Sequence, residues 1–239
     1  MHPVPRVSVI TSVYNCSEFL FDFFLDLRKQ SIFPECEVLI LDANKEEDSD
    51  DYKIISQFLD IPNIKYHYIG DCSVYKAWNI GIKLSEAPII TNWNTDDRRK
   101  WNSLETQVSF LEENKDVDLC YGVLKISNTK NEDFENCKTN RYWATFEGSL
   151  ENQLRHNSPH CLPVWRKDVH DKYGFFDESY FCAADYDMWF RILKGGGKLE
   201  KIDEELGVYY ENPGSISRNR TTYEKAIEEV MKVKEIYGS

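Results

Sequence analysis

Two adjacent carboxylates, Asp96 and Asp97, follow the apolar run Ile89-Ile-Thr-Asn-Trp93, with Asn94 just before them. Such a run reads as a buried strand, and in open α/β sheets ligands bind outside the carboxyl ends of the strands. Paired carboxylates beside an amide make a compact, oxygen-rich cluster suited to a hard divalent cation. The same residues also suit a polar turn in which Asp96 caps the next helix, and taken alone they do not choose between the two. Two other predicted strand ends carry polar side chains: Ser12, Tyr14 and Asn15 after the first run, and Asp42 and Asn44 after the second. Asp185 opens a helical pattern in which Met188, Trp189 and Ile192 follow at i+3, i+4 and i+7, a stripe that fixes the helix on a core. By itself that carboxylate is a helix cap.

The elements that must position these groups alternate between apolar runs and helical periods, the pattern of an α/β protein built on a largely parallel sheet. Strands are expected at residues 7–13, 37–41, 64–69, 89–93, 119–126, 162–166, 198–202 and 208–210. Helices are expected at about 17–30 with Ser17 as its cap, then 52–59, 74–84, 104–111, 185–194 and 223–237. Gly195-Gly-Gly197 stops the helix that starts near Asp185. Residues 127–138 are polar and aperiodic and read as a surface loop, and the acidic run 46–51 reads as a solvated one.

The composition sets limits. With 29 basic and 41 acidic side chains among 239 residues, the net charge of −12 excludes a nucleic-acid binder, which needs clustered Lys and Arg. A hydrophobic fraction of 41% and an aromatic fraction of 14% are enough for a buried core. No apolar run reaches the ~18 residues of a membrane span. Residues 1–6 lack the apolar core of a secretion signal. Seven cysteines, with no Cys-x-x-Cys pair, suit buried thiols in a reduced cytosolic protein better than disulfides or zinc.

Five segments, in order, resemble the family-2 glycosyltransferases of the GT-A fold. Val7-Ser-Val-Ile-Thr-Ser-Val-Tyr-Asn15 is similar to that family's first strand and turn. Ser73-Val-Tyr-Lys-Ala-Trp-Asn-Ile-Gly-Ile82 resembles the helix before the metal strand, with Lys76 where Asp is commoner. Trp93-Asn-Thr-Asp-Asp97 resembles a form of the Asp-x-Asp motif, with Asn94 in place of the leading Asp. Cys182-Ala-Ala-Asp-Tyr-Asp-Met-Trp-Phe-Arg191 resembles the acceptor-side segment that carries the catalytic base, and Pro213-Gly-Ser-Ile-Ser217 a late loop of the same subgroup.

The resemblance, which spans about residues 6–217, implies a GT-A fold: a Rossmann-like mixed sheet flanked by helices, in one domain over 1–239. Residues 1–97 would hold the nucleotide sugar and 98–239 the acceptor. It implies a metal-dependent, inverting transfer of a sugar from a nucleotide donor, UDP-linked, to a hydroxyl of a glycan or glycolipid. Asp96 and Asp97 become the ligands of Mn²⁺ or Mg²⁺, and Asp185 the base. Donor contacts fall to Ser12, Tyr14, Asn15, Asp42, Asn44, Asn79, Asn94, Asp96 and His160. Arg218 and Arg220 could close over the diphosphate. The family's second Asp after strand two, which pairs with uracil, is replaced by Ala43. His160 has an ordinary alternative as a packed, hydrogen-bonded histidine. Asp187 is expected to be structural. Association with a membrane surface is left open.

Two other readings are compatible with the carboxylate pair. A sugar nucleotidyltransferase would show a Gly-rich basic loop after strand one, and Tyr14-Asn-Cys-Ser-Glu18 has no glycine. A catalytically inactive binding subunit would explain the changes at Ala43 and Asn94, but not the retention of Asp97 and Asp185.

Overall fold

The structure is a computed structural model that describes residues 4–215 and 218–238, so Ile216 and Ser217 of the late loop lie outside the described residues. The chain runs β1 (Val7–Val13), α1 (Ser17–Lys29), β2 (Cys36–Asp42), α2 (Asp50–Ile55), β3 (Ile64–Tyr68), α3 (Val74–Leu84), β4 (Ile89–Asn92), β5 (Arg98–Arg99) and α4 (Ser103–Glu113). It continues through β6 (Leu119–Ser127), α5 (Leu150–Arg155), β7 (Val164–Arg166), α6 (Val169–Tyr173), α7 (Ala184–Lys194), β8 (Leu199–Tyr210) and α8 (Tyr223–Gly238). The strands form one eight-stranded sheet in the order β3-β2-β1-β4-β7-β6-β8-β5.

Strands β1 to β4 are parallel, so the ends of β1, β2 and β4 point the same way and bring their polar tails to one edge. β7 runs antiparallel to both β4 and β6, β8 pairs with β6 in parallel, and β5 lies antiparallel to β8. The sheet is therefore mixed rather than largely parallel in its second half. That half of the chain carries α7, with Asp185 in its first turn.

Period-two alternation splits the apolar strands between two cores. Val7, Val9, Val38 and Ile40 pack with Leu20, Phe23, Phe24 and Leu27 of α1 and with Leu104, Val108 and Leu111 of α4. Ile10, Leu39 and Leu41 face the other way, toward Tyr75, Trp78 and Ile82 of α3 and Met188, Trp189 and Ile192 of α7. Each such buried side chain contributes about 1.5–3 kcal/mol, which is how the strand ends are held still. The contact between α3 and β1 is especially close: a Cβ on Gly81 would lie 2.5 Å from Ile10 Cγ2. Gly81→Ala is expected to destabilise the protein by about 2 kcal/mol, read as a lowered midpoint in urea, because the packed sheet cannot yield.

Several expectations are corrected. Ser17 does not cap α1; Cys16 occupies that position and no side chain caps the helix. The two short strands expected after residue 198 are one strand, β8, whose pairing with β6 shifts register around Gly122–Leu124. The charged Asp203-Glu-Glu205 run that broke the apolar pattern belongs to that strand. β5, α5 and α6 were not foreseen: the first is two buried arginines, and the helices are six and five residues long. All seven cysteines are unpaired. Among the described residues no helix is long and apolar enough to cross a membrane.

Candidate active site

The turn after β4 is held from below. Trp93 is fully buried, its backbone N–H donates to Ile10 O (3.0 Å) and its Nε1 donates to Asp97 O (3.1 Å). Arg98 Nη1 donates to the carbonyls of Thr95 and Asp97, both at 2.7 Å, and its Nη2 to Asn131 Oδ1 at 2.6 Å. Arg99 is completely enclosed, with Nη1 on Gln107 Oε1 (2.7 Å) and Nη2 on Thr91 Oγ1 (2.8 Å). Burial draws its guanidinium down to about 10. Its backbone N–H donates to Asp26 Oδ2 (2.7 Å), a carboxyl that burial lifts to about 6. Two buried cations thus tie the carbonyls and flanks of this turn to the cores. Nothing in the apolar periodicity signals them.

The carboxylates of the turn are unequal. Asp97 is 1% exposed, with Oδ1 accepting from Tyr210 N (3.2 Å) and Oδ2 from Asn94 Nδ2 (3.3 Å). Burial, and then the charge of Asp96, push its carboxyl up to about 8. Asp96 is partly exposed, accepts from Asn212 Nδ2 (2.9 Å) and is raised mainly by burial. Neighbouring carboxylates that repel each other and, among the described residues, lack a cationic partner at contact distance fit a divalent cation, which would stabilise both in their ionised form. Among the described residues no cluster of three or more His, Cys, Asp or Glu side chains is arranged to hold an ion. A hard cation that keeps waters and takes phosphate oxygens needs only one or two carboxylates.

Beside this turn, the ends of β1 and β2 form a cleft of about 440 Å³ lined by Tyr14, Asn15, Asn44, Lys45 and the start of α2. Ser12 is the one partly exposed residue of β1, and Tyr14 is 47% exposed. Asn15 sits at φ +48°, a left-handed conformation that Asn tolerates better than most residues. The floor is a closed hydrogen-bond set. Asp42 accepts from Asn44 N (2.9 Å) and Asn44 Nδ2 (2.8 Å) on one oxygen and from Tyr66 OH (2.8 Å) on the other. Asn44 also donates to Asp51 Oδ2 (2.8 Å) and accepts from Asn15 N (3.0 Å). Asp42 and Asn44 therefore shape the cleft, and both carboxylate oxygens of Asp42 are already engaged.

Asp51 corrects the reading of the acidic run as solvated. It is 2% exposed and accepts from Cys16 N at 3.0 and 3.2 Å, joining α2 to the turn after β1. Its run of acidic neighbours hid it. Asp51→Ala is expected to cost about 2 kcal/mol, because Cys16 N and Asn44 Nδ2 lose a buried acceptor. Thermal denaturation, with nucleotide binding measured in parallel, checks this; binding should weaken as the cleft loosens.

Asp185 lies in the first turn of α7, where the helix dipole favours a carboxylate. Asn157 Nδ2 donates to its Oδ2 (3.0 Å) and Tyr75 OH to its Oδ1 (3.3 Å). Burial raises its carboxyl above the ordinary range, while these bonds oppose the shift. Asp187 is structural, as expected: it accepts from Arg191 Nε and Tyr237 OH, both at 2.8 Å. Asn79 has a different task from donor contact. Its Nδ2 donates to Phe176 O and Glu178 Oε1 (both 2.9 Å) and its Oδ1 accepts from Phe176 N (3.0 Å), anchoring the segment that leads to Asp185.

A line of contacts joins Asp185 to the Asp96–Asp97 turn. Asn157 O accepts from Trp143 Nε1 (3.0 Å), and the Trp143 ring lies 3.7 Å from that of His160, centroid to centroid. His160 meets Tyr209 edge-on at 4.5 Å, and the residues that follow them, Cys161 and Tyr210, both bond to the Asp97 carboxylate. His160 is at φ +43°, its buried Nδ1 has no hydrogen-bond partner, and burial drives its imidazole down to about 3. Arg218 is engaged with Tyr209 OH (3.2 Å) and Glu211 (2.6 Å) rather than extended over the cleft. Asn157, Trp143, Tyr209, Asn212 and the role of Tyr75 were missed; only Tyr75 stood inside a quoted motif.

Comparison with known proteins gives the family and the fold. The Glycosyl transferase family 2 profile matches residues 8–174, more than half the chain. The chain belongs to glycosyltransferase family 2. An uncharacterized glycosyltransferase of Rickettsia typhi is 25% identical over 194 residues, covering 80% of this chain and 59% of that protein. One from Rickettsia felis is 24% identical over 194 residues, covering 80% of this chain and 32% of its own length. This family-2 chain thus spans between about a third and three fifths of these curated relatives.

The fold is also that of solved GT-A enzymes. S. aureus TarS 1-349 in complex with UDP-GlcNAc superposes with a TM-score of 0.76 at 18% identity, over 97% of this chain and 66% of that one. The mannosyltransferase PcManGT from Pyrobaculum calidifontis, in complex with GDP-Man and Mn²⁺, gives 0.67 at 13% identity, over 97% and 65%. The expected GT-A architecture is therefore present in this family-2 chain.

Proposed function

We propose that this chain catalyses inverting, metal-dependent transfer of a sugar from a nucleotide donor, UDP-linked, to a hydroxyl of a glycan or glycolipid. The observation that supports the reading is the chain of contacts Asp185–Asn157–Trp143–His160, which links the Asp185 carboxylate to the Asp96–Asp97 turn. Asp96 and Asp97 would hold Mn²⁺ or Mg²⁺, whose chemistry when bound is to neutralise charge growing on the leaving diphosphate. That arrangement also answers the charge of −12: a phosphate-bearing donor approaches acidic residues only with a cation between them.

The chain's own residues do the rest. Tyr14, Asn15, Asn44 and Asp51, which line the cleft, receive the nucleoside over the buried Asp42 carboxylate, and Ser12 and Asn94 are assigned to the donor as well. The acceptor hydroxyl is too weak an acid to ionise at neutral pH, so its proton must leave as its oxygen bonds to the anomeric carbon. Asp185 takes that proton. Its raised basicity favours the transfer, and the bonds from Asn157 and Tyr75 hold it ionised and aimed. A carboxylate acting as base on the acceptor, rather than as nucleophile, is a single displacement and inverts the anomeric centre.

UDP is proposed because TarS is seen with UDP and with UDP-GlcNAc; PcManGT, seen with GDP-Man, supplies the comparison donor. The test is a panel of UDP- and GDP-sugars with Mn²⁺, following release of free nucleoside diphosphate. Turnover that needs the cation supports the reading, and cation-independent turnover overturns it. Tight nucleotide binding without turnover on a broad acceptor panel would favour an inactive binding subunit.

A further inference from the structure

We propose that Glu229, on the C-terminal helix α8, is a positioning residue for the base Asp185, and that α8 serves as a strap on the acceptor side of the site. This rests on the reading of Asp185 as the base. The Glu229 carboxylate accepts from Phe181 N at 2.7 and 2.9 Å and from Cys182 N at 2.8 Å, immediately before α7 begins. A carboxylate on two successive backbone N–H groups fixes the chain direction there, and Asp185 follows three residues after Cys182. Further grips of α8 fall on this stretch and on α7 itself. Lys225 lies 4.6 Å from the Phe181 ring and Lys232 5.4 Å from that of Tyr180. Tyr237 stacks on Phe190 at 4.9 Å and donates to Asp187.

The other support of Asp185 leads to the same helix. Asn157 follows α5, which packs on α8 and is tied to α7 through Tyr186 OH donating to Gln153 O. Ala226 and Val233 are the buried residues of α8, and beside the packing of Val230, Val233 and Tyr237 on the core these polar and ring contacts hold the helix. No motif points to Glu229, because it acts through backbone groups 47 and 48 residues away. Its removal leaves the Asp96–Asp97 turn and the nucleotide cleft untouched, and loosens the lead-in to the base.

The experiment compares wild type, Glu229→Ala and Glu229→Gln, using UDP-GlcNAc and Mn²⁺ with water as acceptor, and in parallel the binding of UDP with Mn²⁺. If another nucleotide sugar turns over in its place, that donor and its nucleoside diphosphate are used. In the hydrolysis, water's oxygen bonds to the anomeric carbon, the bond to UDP breaks and Asp185 takes the proton. Glu229→Ala is expected to lower kcat 10- to 100-fold with KM for donor and UDP affinity within twofold of wild type. Glu229→Gln, whose amide oxygen still accepts, should recover most of the loss, an outcome that a general loss of stability would not produce. A kcat for Glu229→Ala within twofold of wild type overturns the proposal, as does equal loss in kcat and UDP affinity. If the alanine variant does not fold, Glu229→Lys, which cannot accept from either N–H, takes its place, and a kcat for it within twofold of wild type overturns the proposal in the same way. A wild-type protein inactive on every donor would instead overturn the assignment of function.

Discussion

Asp185→Asn is expected to lower kcat by roughly 10³-fold, within the 10²–10⁴ range for removing a general base. Donor affinity should remain within threefold of wild type. The separation follows from geometry. The carboxylate sits on α7, bonded to Asn157 and Tyr75, and shares no hydrogen bond with the cleft formed by the ends of β1 and β2. Asparagine keeps the shape and one acceptor oxygen, so the fold should survive with little change in Tm. What disappears is the capacity to take a proton. Steady-state kinetics combined with calorimetric titration of UDP in the presence of Mn²⁺ checks both halves. Variant activity close to wild type would move the base elsewhere.

Asp97→Asn is the second large effect, and it has two signs. Cation-supported donor affinity should fall by at least 100-fold, because one of only two carboxylates in the turn is lost. Metal-free stability should rise at alkaline pH. In the wild-type fold burial and Asp96 lift the Asp97 carboxyl to about 8, whereas in the unfolded chain it ionises near 4. A raised carboxyl favours the folded state fully below pH ~4, and that advantage drains away as pH climbs from ~4 to ~8. The asparagine variant has no such loss, so between pH 5 and pH 8 the stability difference should move in its favour by up to about 4 kcal/mol. Denaturant titrations at pH 5 and 8 read this difference. The same proton must leave when a cation binds, so the apparent affinity of wild type for Mn²⁺ should strengthen by up to about tenfold per pH unit below 8.

The elements legible from the sequence are those set by local pattern. β1 and β2 are short runs rich in Val, Ile and Leu, and α1, α3 and α7 carry apolar stripes at helical spacing, so their placement follows from local pattern. The turn at Asn94–Asp97 and the carboxylate at 185 were reachable because strand ends and helix starts are where polar groups gather. What was not legible depends on distant pairing. Arg98 and Arg99 carry no local signal of burial, yet they are buried because carbonyls of the turn, Gln107 and Thr91 accept from them. The run Asp203-Glu-Glu205 looked like a break, but a register shift against β6 carries it within one strand. Asp51 looked like one more solvated carboxylate until α2 folded back on Cys16. Asn157, Asn212 and Glu229 bond across 28, 116 and 47 to 48 residues respectively, distances at which no local spacing rule applies.

The central claim is that Asp185 acts as a base in a single displacement, with the diphosphate departing from the Asp96–Asp97 side. The most direct measurement is the anomeric configuration of the first-formed product, followed by proton NMR during turnover of an α-linked nucleotide sugar with Mn²⁺, before free sugar can equilibrate. The account predicts the β anomer. Initial formation of the α anomer would mean retention and would contradict it.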